Sequence, residues 1–201
     1  MLFRSMSGSL RVVEHGASIR KHDHLDILLE GDSILRYHDP RRFGSVFWLP
    51  GAAGHELIDD LGPEPLSEDF DGDYLFNCSR GRRVPVKTLL MNSRIVVGVG
   101  NIYANESLFL SSIRPDRLAS SISRRRYRVL ARHVRSVLQS AIDQGGTTLR
   151  DFVREDGSPG YFRQQLLVYG RAGEPCKQCG RRLSDSRLGN RATVFCTRCQ
   201  R

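Results

Sequence analysis

Four cysteines near the end of the chain have the type and spacing to hold a metal. Cys176 and Cys179 are separated by two residues, as are Cys196 and Cys199, and sixteen residues lie between the pairs. Each close pair fits a tight turn that aims two sulfurs at one point. A hairpin then brings the two turns together as a tetrahedral thiolate site, a zinc ribbon. The expectation is one structural Zn2+ with its coordination shell closed. Lys177, Arg181, Arg182, Arg187, Arg191, Arg198 and Arg201 lie in or beside the ribbon, so it is also basic. A small metal-stapled hairpin covered in arginine points towards nucleic acid. The fifth cysteine, Cys78, has no local partner and reads as structurally incidental. This cysteine usage fits a reducing cytoplasm better than a disulfide scaffold.

Other stretches carry weaker chemical signals. Gly98-Val99-Gly100-Asn101 opens an expected helix, where backbone N–H groups and the helix dipole favour a phosphate. On the motif alone it fits an ordinary capped turn as well. Asp39-Pro40-Arg41-Arg42-Phe43-Gly44 joins two expected strands. Its arginines beside an aromatic suit either a DNA-groove wedge or a structural turn with Phe43 buried. His22 and His24 flank Asp23 without a third metal ligand in view, and read as surface or DNA-facing polar residues. Asp156 to Phe162 is a glycine-rich loop ending in Tyr161 and Phe162, suited to closing over a ligand or to a plain turn.

Elements must position these groups. His24–Glu30 alternates, with Leu25, Ile27 and Leu29 on one face, and Gly31-Asp32 reads as a two-residue hairpin turn. Residues 33–38 and 44–49 then continue an antiparallel meander. Pro and Gly punctuate residues 50–83, and the acidic stretch 64–73 reads as a linker with short helical turns. A helix is expected over about 101–111, with Ile102, Leu108 and Phe109 facing a core. A longer one follows the capping residue Ser123, with Tyr127, Leu130, Ala131, Val134, Val137, Leu138, Ala141 and Ile142 as its apolar stripe, and ends at Gly145-Gly146. Three arginines in its first turn oppose the helix dipole, so something must compensate them. The 201 residues carry a net charge of +9 and a pI of about 9.8, mostly from arginine. No apolar run is long enough to span a membrane, and the first residues turn polar too quickly for a signal peptide.

Taken together the motifs resemble the formamidopyrimidine-DNA glycosylase family of bacterial base-excision repair enzymes. The resemblance rests on Met-Ser-Gly-Ser-Leu at 6–10, Lys-His-Asp-His at 21–24, the 39–44 hexapeptide and Leu-Gly-Pro-Glu-Pro-Leu at 61–66. It continues through 97–106, 145–152, 156–162, Val-Tyr-Gly-Arg at 168–171 and the ribbon. It implies an α+β fold: a partial antiparallel β-sandwich over 1–55, a linker over 56–85, a helix–two-turn–helix domain with a lesion-capping loop over 86–165, and a zinc ribbon over 166–201. The implied partner is double-stranded DNA with oxidised bases, bound by a monomer in the cytoplasm. Met6, Arg41 and Phe43 match the trio that fills the gap left by a flipped base. His22, Arg41 and Arg82 match DNA-binding positions, Lys87 lies near the lesion phosphates, and Asn101 grips phosphate. Tyr161 belongs to the loop over the extruded base, and Arg191 matches the arginine assigned to phosphate contact and late elimination.

The same resemblance implies a bifunctional glycosylase and abasic-site lyase acting on 8-oxoguanine and formamidopyrimidines. An endonuclease VIII-like pyrimidine specificity and a catalytically dead lesion binder are the alternatives. The family chemistry uses an amino-terminal proline followed by glutamate, with a strand lysine assisting, and this sequence matches none of them. The expectation is therefore a fragment that binds DNA but does not excise. Lys87 is the best substitute amine, and nothing in the sequence lowers its pKa.

Overall fold

The computed structural model describes residues 2–4, 8–48, 54–144 and 166–201. Two compact units emerge, one within residues up to Gly54 and the other holding the described residues from His55 onward. Met6, the loop at 156–162 with Tyr161, and Gly145-Gly146 lie outside the described residues.

Among the described residues, the regular elements of the first unit are strands: β1 (Leu2–Arg4), β2 (Ser9–Glu14), β3 (Asp23–Leu28), β4 (Ser33–His38) and β5 (Ser45–Phe47). Strand β4 lies between β2 and β3, antiparallel to both, and β5 pairs with β1 in a separate two-stranded sheet. The expected meander therefore stops at β4. The turn at 39–44 redirects the chain, so β5 does not continue the ladder. The β3–β4 hairpin closes with Leu29 N–H donating to the Ser33 carbonyl at 2.9 Å. Its loop is thus Glu30-Gly31-Asp32, one residue longer than expected, with positive φ at Gly31 (69°) and Asp32 (33°). Ile34 and Tyr37 of β4 are buried, whereas Val12, Leu25, Leu28 and Trp48 are exposed. Arg36 is buried and satisfied. It forks onto both Asp26 carboxylate oxygens at 2.8 Å and donates to the Ala17 and Ser18 carbonyls.

The second unit packs α1 (Glu56–Asp59), α2 (Gly72–Ser79), α3 (Val86–Leu90), α4 (Asn101–Leu110) and α5 (Arg124–Asp143), followed by the hairpin β6 (Ser184–Leu188) and β7 (Arg191–Phe195). Phe70, Leu75, Leu89, Leu108, Tyr127 and Leu130 anchor one apolar core. Helix α5 starts as the sequence predicts, with Ser123 Oγ accepting the Arg126 N–H at 3.4 Å. Its stripe is buried at Tyr127, Leu130, Ala131, Val134, Val137 and Ala141, but Leu138 is only half-buried and Ile142, also counted in that stripe, is exposed. Gly72 at the start of α2 lies so close to the Arg128 backbone that a Cβ would overlap it. This contact sets the spacing of α2 and α5.

Two arginines of α5 meet a carboxylate of the acidic stretch. Arg128 forks onto Asp73 at 3.0 and 2.9 Å, and Arg124 reaches the same carboxylate at 3.5 Å. Arg80 and Arg124 also lie over the Phe76 ring, 4.0 and 4.7 Å from its centroid. Arg135 donates to the Phe70 carbonyl at 2.6 Å and to the Ser67 carbonyl. Of the three first-turn arginines, Arg124 thus meets a carboxylate, and Arg126 donates to the Ser112 and Arg201 carbonyls at 2.7 and 3.1 Å. Among the described residues, no helix is long and apolar enough to cross a membrane.

Candidate nucleic-acid interface and metal centre

The ribbon folds as its spacing predicts. Cys176 and Cys179 lie on the turn before β6, and Cys196 and Cys199 follow β7. All four sulfurs lie within 4.8 Å of one another. Cys179 and Cys196 are 3.5 Å apart, and Cys176 and Cys199 4.0 Å. Four sulfurs at zinc–thiolate bond length around one ion stand about 3.8 Å apart, so the cluster fits a single zinc. The Arg181 backbone N–H lowers the Cys179 thiol to about 7, while burial and the neighbouring sulfurs push Cys199 up to about 12. Zinc here would complete a closed four-sulfur shell and supply folding energy.

The ribbon is locked to the helices by buried polar groups. Lys87 Nζ donates to the Ala192 carbonyl at 2.8 Å and to Thr193 Oγ1 at 2.7 Å. Glu106, buried on α4, accepts the backbone N–H groups of Leu167, Val168 and Tyr169 at 2.8, 3.0 and 2.8 Å. Gln200 accepts from the Cys196 N–H at 2.8 Å and donates to the Ile113 carbonyl at 2.8 Å. Phe109 of α4 packs into the ribbon core with Val168, Leu183 and Val194.

Against this lock lies a cationic cleft of about 350 Å³, lined by Arg82, Lys87, Thr88, Asn92, Gly189 and Arg191 among others. Burial, helped by the Arg191 charge, lowers the Lys87 ammonium to about 8. The expectation that Lys87 keeps an ordinary pKa is therefore corrected, because its side chain is 1% exposed rather than solvated. Arg82 is oriented by its Nε bond to the Cys78 carbonyl at 2.7 Å. Arg191 follows the tight turn Gly189-Asn190, where both residues have positive φ (55° and 58°). That geometry presents the arginine at the hairpin tip.

Helix α4 begins in the same unit. Gly98 takes φ +79°, and the cap residue is Gly100, with no side-chain cap bond. The cap is therefore a glycine, and the Asn101 side chain does not cap the helix. Asn101 is the first helical residue, and the glycine start leaves the helix end open to an anion.

In the strand unit, Asp39 is fully buried and organises its turn. It accepts from Tyr37 Oη at 2.8 Å, Gly44 N–H at 2.8 Å and Arg41 N–H at 3.3 Å. Arg42 is pushed to φ +55°, and Phe43 stands 64% exposed with the Arg41 guanidinium 5.0 Å from its ring centroid. Phe43 is therefore not buried as the structural-turn alternative had it. His22, at φ +79°, sits near His24 and His38, with ring centroids 6.5 and 6.2 Å away. Desolvation, with Lys21 and the neighbouring histidines, holds its pKa below the ordinary value, which favours a neutral ring. His24 Nε2 is 2.9 Å from the Asp39 carbonyl, so it braces the turn.

Sequence reasoning missed Asn105, Glu106 and Gln200. Each is a polar residue at a core position, and the signal for α4 was present in Asn105-Glu106 interrupting an apolar helix face.

Family profiles described as "Formamidopyrimidine-DNA glycosylase N-terminal domain", "Formamidopyrimidine-DNA glycosylase H2TH domain" and "Zinc finger found in FPG and IleRS" match residues 3–46, 61–153 and 173–201. A formamidopyrimidine-DNA glycosylase of Stenotrophomonas maltophilia (strain K279a) is 57% identical over 201 residues, covering all of this chain and 74% of the relative. The crystal structure of the MutM (Fpg) protein from Thermus thermophilus is 39% identical, with a TM-score of 0.85 over 97% of this chain and 73% of that one. A Lactococcus lactis Fpg variant complexed with Fapy-dG-containing DNA is 31% identical, with a TM-score of 0.84 over 98% and 72%.

Proposed function

The chain belongs to the formamidopyrimidine-DNA glycosylase family, and from that premise we propose that it grips double-stranded DNA at oxidised purines for base-excision repair. The observation that carries this reading is the concave cleft lined by Arg82, Arg191 and Lys87. The exposed Arg82 and Arg191 suit a phosphate backbone, and the buried Lys87 ammonium adds positive charge to the cleft. Asn101, at the glycine-opened start of α4, takes a further phosphate. Arg41 and Phe43 occupy the space left by an extruded base, with Met6 completing the trio, while His22 contacts the backbone. Tyr161 belongs to the loop that closes over the base, and Arg191 also assists late elimination. The substrate places the protein with the chromosome in the cytoplasm, as a monomer.

The family reaction begins when an amine attacks the sugar C1′, displacing the base and forming an imine that then permits strand cleavage. Lys87 is poorly placed to act as that amine, because its buried nitrogen is committed to Ala192 and Thr193. We therefore propose that the 201-residue polypeptide binds lesion DNA without excising the base. Borohydride trapping on a duplex containing 8-oxoguanine checks both halves. Binding that weakens steeply with salt and yields no trapped adduct is expected. An adduct that disappears in Lys87→Ala would overturn the second half, and salt-independent binding the first.

A further inference from the structure

Helix α4 carries a fully buried asparagine, Asn105, one turn beyond Asn101. Its Oδ1 accepts the backbone N–H of Val194 in β7 at 3.0 Å. Its Nδ2 donates to the Asn101 backbone carbonyl at 2.7 Å and to Asn101 Oδ1 at 3.3 Å. An amide side chain keeps its shape when turned end for end, so its partners decide which end is oxygen. Two of these partners cannot change role. A backbone N–H only donates, and a backbone carbonyl only accepts. Together they fix Asn105 with its oxygen towards the ribbon and its nitrogen towards the helix start. Asn105 therefore offers a donor to the Asn101 side chain, which must answer with its own oxygen. The Asn101 amino group is left on the other side, and no described residue accepts from it.

We propose that Asn105 is a positioning residue that sets the polarity of the Asn101 amide, so that the docked ribbon holds the Asn101 N–H2 group ready to donate to a phosphate oxygen. This rests on the reading of Asn101 as a phosphate contact. A freely turning amide would present its carbonyl to the phosphate part of the time, and that arrangement repels. Fixing the donor outward removes the wrong orientation before DNA arrives, which is how preorganisation raises affinity. It also makes the ribbon part of the α4 phosphate site without touching the phosphate: Val194 orients Asn105, and Asn105 orients Asn101.

Asn105→Asp keeps an acceptor for Val194 but removes the donor, and a carboxylate in its place draws the Asn101 amino group inward. The test is a double-mutant cycle on the 201-residue chain with Asn101→Ala, reading the Kd for a duplex carrying a tetrahydrofuran abasic-site analogue. Thermal melting and zinc content of each variant report whether it is folded. The expected losses are about tenfold for Asn101→Ala and about tenfold for Asn105→Asp, with the double variant no weaker than Asn101→Ala alone. Equal losses from Asn105→Asp in both backgrounds mean the added charge or the fold is responsible, and overturn the positioning role alone. No loss from Asn101→Ala removes the phosphate reading and the proposal with it. Side-chain amide exchange in the unsubstituted chain needs no variant to fold. Slow exchange at Asn105 and fast exchange at Asn101 support the fixed polarity, and fast exchange at both refutes it.

Discussion

The strand unit and the helix–ribbon unit handle candidate functional groups in opposite ways. In the strand unit they stand outside the packing: Phe43 is 64% exposed, and His22 and Arg42 take left-handed backbone conformations at the surface. Apolar side chains such as Val12, Leu28 and Trp48 are exposed as well, so burial contributes little there. In the helix–ribbon unit the corresponding groups are structural members. Lys87, Asn105, Glu106 and Gln200 are at most 3% exposed, and each bonds across an α-helix–ribbon boundary or close beside it. A group held by several buried bonds is rigid, but it cannot be changed without loosening the fold. A group on a surface turn can be changed freely, and its orientation depends on a few local bonds such as those of Asp39.

The largest expected effect removes the metal. Four thiolates without a cation repel as they ionise, so chelation or Cys179→Ser should unfold the ribbon from Leu166 onward. Structural zinc in isolated fingers supplies about 10–16 kcal/mol, so no other single change here should compare. Backbone hydrogen exchange should show lost protection at Val194 and Cys196, while the α2–α5 core stays protected. Loss of protection throughout both units would break the comparison. Next is Glu106→Ala, which strips the acceptor from three backbone N–H groups at once. The expected cost is about 3–5 kcal/mol in chemical denaturation, with Glu106→Gln retaining part of it through its one remaining oxygen. A cost below about 1 kcal/mol would mean water replaces the carboxylate and the lock is loose.

These two predictions also mark what the sequence could and could not disclose. The ribbon was legible because its four ligands come as two short local repeats, and local spacing survives in a linear string. Helix α5 was legible through Ser123 and its apolar period. The Lys87–Thr193 bond joins residues 106 apart, and Val194 reaches Asn105 across 89. Nothing local to either partner records such pairing, so nothing in the sequence showed that the Lys87 pKa is lowered. The strand meander failed for a related reason. The pattern at 44–49 gives β5 its extended form, but it does not say which strand β5 pairs with, and β1 takes that place.

Lys87 supplies the third prediction, smaller than the first two. Its folded pKa of about 8 lies below the ordinary 10.5. Between those values the unfolded chain keeps a proton that the folded chain has released, so stability rises with pH across that window and is flat below it. The full gain is about 3 kcal/mol at most. Binding runs the other way, because the folded protein loses a cation from its cleft as pH passes about 8. Urea unfolding and DNA titration between pH 7 and 10 (about two buffers each side of the inflection) should therefore show opposite trends. Both should disappear in Lys87→Met. Parallel trends would show that another group dominates.

The smallest stability effect should come from Phe43→Ala, and it sharpens the comparison most. The ring is mostly in water already, so truncation removes little buried apolar area. Its contact with the Arg41 guanidinium is an exposed cation–π pair, worth about 0.5–1 kcal/mol. The expected change in unfolding free energy is therefore below about 1 kcal/mol. Affinity for abasic-site DNA should nevertheless fall about tenfold, because a ring inserted between bases exchanges water for stacking contact on both faces. Asp39→Ala provides the contrast within the same turn. It removes three hydrogen bonds from a buried carboxylate and should cost stability as well as binding. If Phe43→Ala destabilises the chain as much as Asp39→Ala does, the ring is a packing residue, and the separation of function from stability in the strand unit is wrong.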